Sequence, residues 1–243
     1  MTAPRDATAF EVREALDGQG CPVCRLTLRA VDRFMAAIAY ESVNDRPLRA
    51  ELRASNGFCN PHAHRWLVVA RSVLGTAVIY KDVLTSALRE LAGQSRERGQ
   101  WGGMLRGFLG QGEIRSRSSS SSGLACPACR AQRDAERRYL EALLESLGDA
   151  ATAAAFAAAD PPCLRHTRAA LARGGPRAEL VLERTRAAVG ELLAVLDEVI
   201  RKEDYRYRHE ERLPAERAAP AQAVAWAAGA AGLTGGEEPR PPE

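Results

Sequence analysis

The feature that most constrains this chain is a pair of short cysteine motifs, each of which occurs twice. The segment at 21–24 reads C-P-V-C and returns at 126–129 as C-P-A-C, while C-N-P-H at 59–62 returns at 163–166 as C-L-R-H. The offset is 105 residues for the first motif and 104 for the second, and together the motifs use all six cysteines of the chain. A nearly constant offset between two copies indicates an internal repeat.

The motifs have the residue types and spacing of structural zinc sites. Such sites hold one ion with four Cys or His ligands, with short spacers inside each pair and a longer gap between pairs. We therefore predict two Cys3His sites, each formed within one copy, with two zinc ions as cofactors. The ligands of the first site are Cys21, Cys24, Cys59 and His62, and those of the second are Cys126, Cys129, Cys163 and His166. Pairing across the copies would use the same ligand set, so the spacing leaves both arrangements open.

The residues around the ligands place both kinds of motif at helix starts. The proline of each C-P-x-C segment favours entry into a helix, and Asn60 with Pro61 forms a typical cap and first turn. Helix N-termini stabilise thiolates through free N–H groups and partial positive charge. Arg25 and Arg130 follow directly after the C-P-x-C segments, and we expect them to partner the net negative charge of each site.

The hydrophobic pattern predicts an all-α fold. Apolar residues recur at intervals of three and four, and strand-like alternation is absent from the sequence. The stripes are Leu28, Val31, Met35 and Ile38; Leu140, Leu143, Leu144 and Leu147; Leu67, Ala70, Leu74, Ala77, Leu84, Leu88 and Leu91, in one long helix; and Val181, Thr185, Ala188, Leu192, Val195 and Val199. Asp45 with Pro47 predicts a further helix start. The fold class is therefore two tandem helical repeats, each with a Cys3His site that joins helix N-termini.

Composition shifts divide the chain. We predict a first helical repeat over 1–114, a Ser-rich linker over 115–123 with no apolar surface to bury, and a second helical repeat over 124–212. Residues 213–243 are rich in Pro, Gly and Ala and read as a loosely attached tail, in which only 221–231 around Trp226 would form a short helix.

Charge and composition narrow the function classes. The net charge of +3 is far below the basic excess typical of nucleic-acid binding, and no apolar stretch is long enough to span a membrane. The N-terminus has no apolar signal region, so we expect a cytoplasmic protein, where paired cysteines more often bind metal than form disulfides. Neither an oligomeric state nor a specific protein partner follows from the sequence. His64 could replace His62 as a ligand, but its counterpart in the second copy is Arg168, so we expect His64 at the surface or beside the ligands. His209 lies in a charged stretch with no cysteine partner, and we expect it on a solvated face.

Five segments together resemble an uncharacterised bacterial family with a domain of unknown function. They are C-P-V-C-R at 21–25, Y-E-S-V-N-D at 40–45, G-F-C-N-P-H at 57–62, C-P-A-C at 126–129 and K-E-D-Y-R-Y-R at 202–208. The resemblance spans nearly the whole chain apart from the linker and the tail. It implies a helical bacterial protein with repeated Cys/His motifs and implies no activity.

Three functional interpretations follow from these observations. The first is a structural-zinc module for protein interaction or regulation, in which zinc holds helix ends together. The second is a thiol or metal redox sensor, or an iron–sulfur protein, since both use the same ligands. The third is a metal-dependent enzyme, for which the sequence supplies no nucleotide, hydrolase or metalloprotease motif.

Overall fold

The computed structural model describes residues 3–101 and 126–234, with side chains described over 7–92 and 126–234. These parts of the chain form helices and turns and contain no strand. The prediction of an all-α fold is confirmed. The helices are α1 (Ala3–Leu16), α2 (Pro22–Ala37), a π-helical turn (Ile38–Ser42), α3 (Arg46–Ala54), α4 (Asn60–Val69), α5 (Val73–Trp101), α6 (Pro127–Ser146), α7 (Ala150–Ala158), α8 (Leu164–Leu171), α9 (Pro176–Arg201) and α10 (Pro214–Ala228).

The helix starts follow from local sequence. Asp45 caps α3, with its Oδ1 accepting a hydrogen bond from the Leu48 N–H at 2.7 Å, and Pro47 lies in the first turn, as the sequence predicts. The start of α4 differs from the prediction, because Cys59 rather than Asn60 occupies the capping position. Cys163 takes the same position before α8. Both cysteines have extended backbone, which places their sulfurs beside the first turn of the helix.

The helices belong to two compact units, and neither unit is continuous in sequence. The first comprises residues 1–31 and 132–243, and the second comprises 32–131. The predicted tandem repeats, 1–114 and 124–212, therefore do not coincide with the compact units. The reason lies in α2 and α6, since each begins in one unit and ends in the other. The predicted linker 115–123 lies outside the described residues.

The first unit has a continuous apolar core formed by α1, α2, α6, α7, α8 and α9. Its members share near-complete burial: Val12, Ala15, Leu16, Cys21, Val23, Cys24, Leu26, Ala135, Tyr139, Leu140, Leu143, Leu144, Leu147, Phe156, Ala159, Cys163, Ala170 and Val181. The α6 stripe predicted from the sequence is part of this core. Two loops that carry ligand cysteines are joined here, because the Gly20 N–H donates to Asp160 Oδ2 at 2.6 Å.

The second unit centres on Trp66, which is fully buried. Its ring stacks on Phe58 with 5.3 Å between centroids, and its Nε1 donates to Thr76 Oγ1 at 2.9 Å. Arg65, on the same helix, forms a two-pronged ion pair with Asp32 of α2. These contacts fix α4, and therefore the ligand His62 near its start, within this unit.

The apolar stripe predicted over residues 67–91 is exposed to solvent rather than buried in the core. The sequence predicts a single helix through 67–91, but the chain breaks between Val69 and Val73, where Arg71 has a φ of 45°. Beyond the break, the large apolar side chains of α5 that are buried within the described residues are Ile79 and Val83. The predicted stripe instead faces solvent, with Leu74 76%, Leu84 60%, Leu88 67% and Leu91 60% exposed. The 3.6-residue period identified helical segments correctly, but it predicted neither the break between α4 and α5 nor the face of α5 that is buried.

The predicted loose tail differs over its first half, because α10 begins at Pro214 and packs against α8 and α9. Lys202 and Glu216 are both buried, and the Lys202 ammonium donates to the two carboxylate oxygens at 2.7 and 2.9 Å. The same carboxylate accepts the Leu213 N–H at 3.0 Å, which caps the helix. Trp226 Nε1 donates to the Pro162 carbonyl at 3.1 Å. The Ala-rich composition of this segment did not allow these polar contacts to be predicted.

Candidate metal centres

The structure brings all eight predicted ligands into two clusters, and it pairs them across the sequence copies. The first cluster contains Cys21, Cys24, Cys163 and His166, and the second contains Cys59, His62, Cys126 and Cys129. In each cluster the four donor atoms lie within 4.8 Å of one another. The within-copy pairing expected from the sequence is therefore wrong, and the crossed alternative is the observed one.

The crossing follows from where the helices begin. Each cluster joins one C-P-x-C helix start to one C-x-x-H helix start, namely α2 with α8 in the first unit and α6 with α4 in the second. A cysteine directly precedes each of these four helices. The expectation that the sites join helix N-termini is thus met in both units, where N–H groups and the helix dipole favour thiolates.

In the first cluster the imidazole faces three sulfurs. His166 Nδ1 lies 3.4 Å from Cys21 Sγ, 3.4 Å from Cys24 Sγ and 3.2 Å from Cys163 Sγ. The sulfurs of Cys24 and Cys163 are 3.6 Å apart. The Cys24 N–H also points at Cys21 Sγ, at 3.4 Å, as in the tight turn of a metal-binding C-x-x-C segment.

The second cluster repeats this geometry. His62 Nδ1 lies 3.2 Å from Cys59 Sγ, 3.6 Å from Cys126 Sγ and 3.5 Å from Cys129 Sγ. The Cys129 sulfur is 3.4 Å from that of Cys126 and 3.5 Å from that of Cys59. The donors surround one point, which suits a single metal ion.

These distances fit a tetrahedral ion with mixed sulfur and nitrogen ligands. Zn–S bonds of about 2.3 Å and Zn–N bonds of about 2.0 Å give tetrahedral edges of about 3.8 Å between sulfurs and about 3.5 Å between sulfur and nitrogen. The observed sulfur–sulfur separations of 3.4–3.6 Å are slightly shorter than the sulfur–sulfur edge. The observed sulfur–nitrogen separations of 3.2–3.6 Å bracket the sulfur–nitrogen edge. A small outward movement of the side chains would accommodate an ion in each cluster.

The thiols also depend on one another for ionisation. In the second cluster, a hydrogen bond from Cys129 outweighs burial and lowers the pKa of Cys126 to about 3, and the same bond raises the pKa of Cys129. In the first, hydrogen bonds from Cys21 and Cys24 lower the pKa of Cys163, while burial raises that of Cys21. One thiolate is therefore stabilised by neighbours that remain protonated. A divalent cation would allow all three thiols of a cluster to ionise together.

The histidines are oriented by the cluster alone. His62 and His166 are buried, and their Nε2 atoms have no hydrogen-bond partner among the described residues. Burial opposes protonation of His166, but the hydrogen bonds and charges of Cys163 and Cys24 raise its pKa to about 9. An ion bound at Nδ1 would replace that proton, because a metal ligand must be the neutral imidazole. The buried rings therefore fit a role as ligands.

The two clusters differ in how they are covered. Residues 229–234, the C-terminal strap, fold over the first cluster, where a β-carbon at Gly229 would lie 3.5 Å from Cys24 Sγ and 3.7 Å from Cys163 Sγ. Gly229 has a φ of 82°, which favours glycine. The strap ends at Thr234, which exchanges three hydrogen bonds of 3.0 Å with the side chain of Gln132.

Sequence analysis did not identify this strap. A glycine directly after an apolar helix, as at Gly229, is a recognisable helix-end signal. The partner Gln132 has no such signal, because a single glutamine in a charged helix is ordinarily read as a surface residue.

Some of the roles predicted for other residues near the clusters match the structure, and others do not. His64 is exposed, as expected. Arg25 donates to the Ala15 carbonyl at the end of α1, and its positive charge also interacts with Cys21 of the first cluster. Arg130 instead forms a 2.6 Å ion pair with Glu51. Arg25 therefore helps to hold α1 beside the first cluster.

A cavity of about 660 Å³ lies beside the first cluster. Its walls include Cys21 and Cys163, the guanidinium-bearing Arg184 and the apolar side chains of Leu192 and Trp226. Despite this neighbouring space, Cys21 is 9% exposed and Cys163 is 1% exposed. The cavity therefore gives the sulfurs of this cluster little contact with solvent.

Comparison with known proteins identifies the family. A family described as a family of unknown function (DUF6062) matches residues 6–220. The chain belongs to this family. The match covers both clusters and most of the described helices, and it confirms the resemblance noted from the sequence motifs.

The remaining comparisons add no assigned activity. A protein from Caldicellulosiruptor sp. (strain Rt8B.4), described as an uncharacterized 23.9 kDa protein in the xynA 3'region, is 46% identical over 66 residues. That alignment covers 27% of this chain and 32% of the relative, so the chain spans about a third of the length of the relative it matches. No solved structure matches the chain. Within the described residues, every helix is too short or too polar to cross a membrane.

Proposed function

We propose that this protein is a zinc-stabilised helical module for protein interaction or regulation, with one zinc ion in each cluster. The observation that carries the proposal is the complete set of four protein donors, three sulfurs and one nitrogen, within 4.8 Å in both clusters. Four protein ligands fill a zinc tetrahedron and leave no position for substrate, which is typical of structural rather than catalytic zinc. Sulfur-rich tetrahedral sites favour zinc among the common divalent ions.

The architecture supports a structural role for the ion. Each cluster joins two helix starts that are distant in sequence, α2 with α8 and α4 with α6. Without an ion, each cluster is a group of closely spaced, wholly or partly buried thiols that cannot all ionise. Zinc binding would therefore contribute to folding free energy, as it does in other small zinc domains.

The outer face of α5 supports an interaction role. Leu74, Leu84, Leu88 and Leu91 are at least 60% exposed and fall on one side of the helix. Several exposed leucines on one side of a helix commonly mark a protein-binding surface, since water contact with them is unfavourable. We infer that a partner covers this stripe with an apolar helical face.

Metal analysis and chelation test the proposal together. We expect protein purified without affinity-tag metals to contain two zinc ions per chain and no visible absorption, whereas a brown colour with iron and sulfide would contradict the zinc assignment. Complete zinc removal is expected to reduce the helical circular dichroism signal and abolish cooperative melting, and re-addition of zinc is expected to restore both. Unchanged melting after complete removal would overturn the structural role.

A matched pair of variants sharpens the metal count. His62→Ala removes a buried ligand, and we expect it to bind one zinc ion per chain. His64→Ala lies two residues away on the same helix but is exposed and outside the cluster, and we expect it to retain two. Equal zinc content in the two variants would show that His62 is not a ligand.

A further inference from the structure

The two clusters have the same ligand types but different access to solvent. In the first cluster Cys24 and Cys163 are each 1% exposed, and the C-terminal strap passes over both sulfurs. In the second cluster Cys59 and Cys129 are only partly buried. The remaining donors of that cluster, Cys126 and His62, are buried.

The sulfurs of these two partly buried cysteines are also neighbours. Cys59 Sγ and Cys129 Sγ lie 3.5 Å apart, and a disulfide requires about 2.05 Å. Cys59 is at the start of α4 and Cys129 is in the first turn of α6. A modest side-chain movement would therefore bring the sulfurs to bonding distance once the metal no longer holds them apart.

We propose that the second cluster is an oxidant-responsive site, in which a hydroperoxide converts Cys59 and Cys129 to a disulfide and releases the metal. This inference depends on the proposed function, because it requires zinc in both clusters. It assigns different roles to the clusters: the first is structural, and the second reports oxidants of the hydroperoxide class.

The reaction balances with the peroxide as the only added oxidant. One thiolate attacks a peroxide oxygen, the O–O bond breaks, and a sulfenic acid and hydroxide are formed. The second thiolate attacks the sulfenic sulfur, forming the S–S bond and releasing a second hydroxide. Two thiolates have then lost two electrons in total to one peroxide. Zinc keeps only Cys126 and His62 as protein ligands, which is too few for a stable structural site.

The consequence is local to the second unit. The new bond would connect the starts of α4 and α6 directly, replacing the link through the ion. The buried Trp66, four residues after His62 on α4, would sense the change. The exposed leucines of α5 belong to the same compact unit as the second cluster. Oxidation of the cluster and binding of a partner would therefore both affect this unit.

The test uses the full-length zinc-loaded protein treated with hydrogen peroxide. Zinc release is followed with a colorimetric chelator, and each cysteine is scored by differential alkylation and peptide mass spectrometry. We expect one of the two zinc ions to be lost first, together with loss of free thiol at Cys59 and Cys129. Reductant with added zinc should reverse both changes.

Several results would overturn the inference. These are release of both ions in one phase, first oxidation in the cluster of Cys24 and Cys163, or a first disulfide between Cys126 and Cys129. Zinc content measured before peroxide separates the two proposals: fewer than two ions at the outset would count against the proposed function. Two ions followed by one of these results would count against this inference alone.

A strap variant provides a second measurement that does not remove a ligand. Gln132→Leu weakens the cover of the first cluster and leaves the second cluster intact. We expect it to accelerate oxidation at Cys24 and Cys163 without changing the rate at Cys59 and Cys129. If the strap variant leaves all thiol rates unchanged, solvent access does not determine which cluster reacts.

Discussion

The C-terminal strap makes a quantitative prediction about metal exchange in the first cluster. Gln132 is 1% exposed, and it accepts hydrogen bonds from the N–H and hydroxyl of Thr234 and donates one to the Thr234 carbonyl. Gln132→Leu keeps the size of the side chain and removes all three bonds. Arg165 would still donate to the same carbonyl, at 2.8 Å, so the strap should be weakened rather than lost.

The magnitude follows from those bonds. At about 1 kcal/mol for each net hydrogen bond, the variant destabilises the closed strap by about 3 kcal/mol. Since about 1.4 kcal/mol corresponds to a factor of ten, the open fraction should rise roughly 100-fold. If zinc leaves the first cluster through brief opening of the strap, its release rate should increase by the same factor.

The assay is zinc transfer from the holo-protein to an excess of chromophoric chelator. We expect two phases in the wild type, and acceleration in the variant of the slower phase only. Gln222→Leu, at an exposed position of α10, is the matched control and should leave both phases unchanged. Hydrogen exchange of the 229–234 peptide confirms that the strap has opened. Faster hydrogen exchange with an unchanged slow phase would refute the idea that the strap controls release.

Three further predictions concern stability, pH and the outer stripe. Leu143→Ala, at a site that is 1% exposed in the first core, should lower the unfolding free energy by about 2–5 kcal/mol in urea titrations, and a loss well below this range would contradict the core assignment. The hydrogen bonds from Lys202 lower the pKa of Glu216, so its stabilisation is present above the ordinary Glu pKa and is lost as the pH falls towards the folded value. The melting-temperature difference between wild type and Glu216→Gln should therefore narrow on acidification, while Glu211→Gln, at an exposed position, should show little difference at any pH. Leu88→Glu, at a position 67% exposed, should change the unfolding free energy by less than about 0.5 kcal/mol. It should nevertheless abolish binding to any partner protein that the wild-type protein captures through α5. Destabilisation by several kcal/mol would show that Leu88 is buried.

The ligand set and the helix starts could be predicted from the sequence because they depend on local chemistry. A cysteine before a proline or at a helix cap has the same local geometry whatever it pairs with, and Asp45 forms the expected cap of α3. The grouping of ligands depends instead on the tertiary path of α2 and α6. Since both copies carry the same kinds of motif at nearly the same spacing, within-copy and crossed pairing are indistinguishable by pattern alone.

Burial was the other property that the sequence could not decide. The α9 positions predicted to face inward include Val181 and Thr185, which are buried. On this helix the apolar pattern therefore predicted the buried face correctly. On α5, both Ile79 and Leu84 lie on apolar stripes, and only the packing of the second unit determines that Ile79 is buried while Leu84 is 60% exposed. Similarly, the burial of Lys202 depends on the partner Glu216 carried by a helix that composition assigned to a tail.

Counting zinc in paired-cysteine variants by native mass spectrometry tests the central claim most directly. In the crossed arrangement Cys24 and Cys163 serve one ion, whereas Cys24 and Cys59 serve different ions. We therefore expect Cys24→Ser combined with Cys163→Ser to retain one zinc ion per chain, and Cys24→Ser combined with Cys59→Ser to retain none. The opposite result, no zinc in the first double variant and one ion in the second, would restore pairing within each copy and contradict the crossed metal centres.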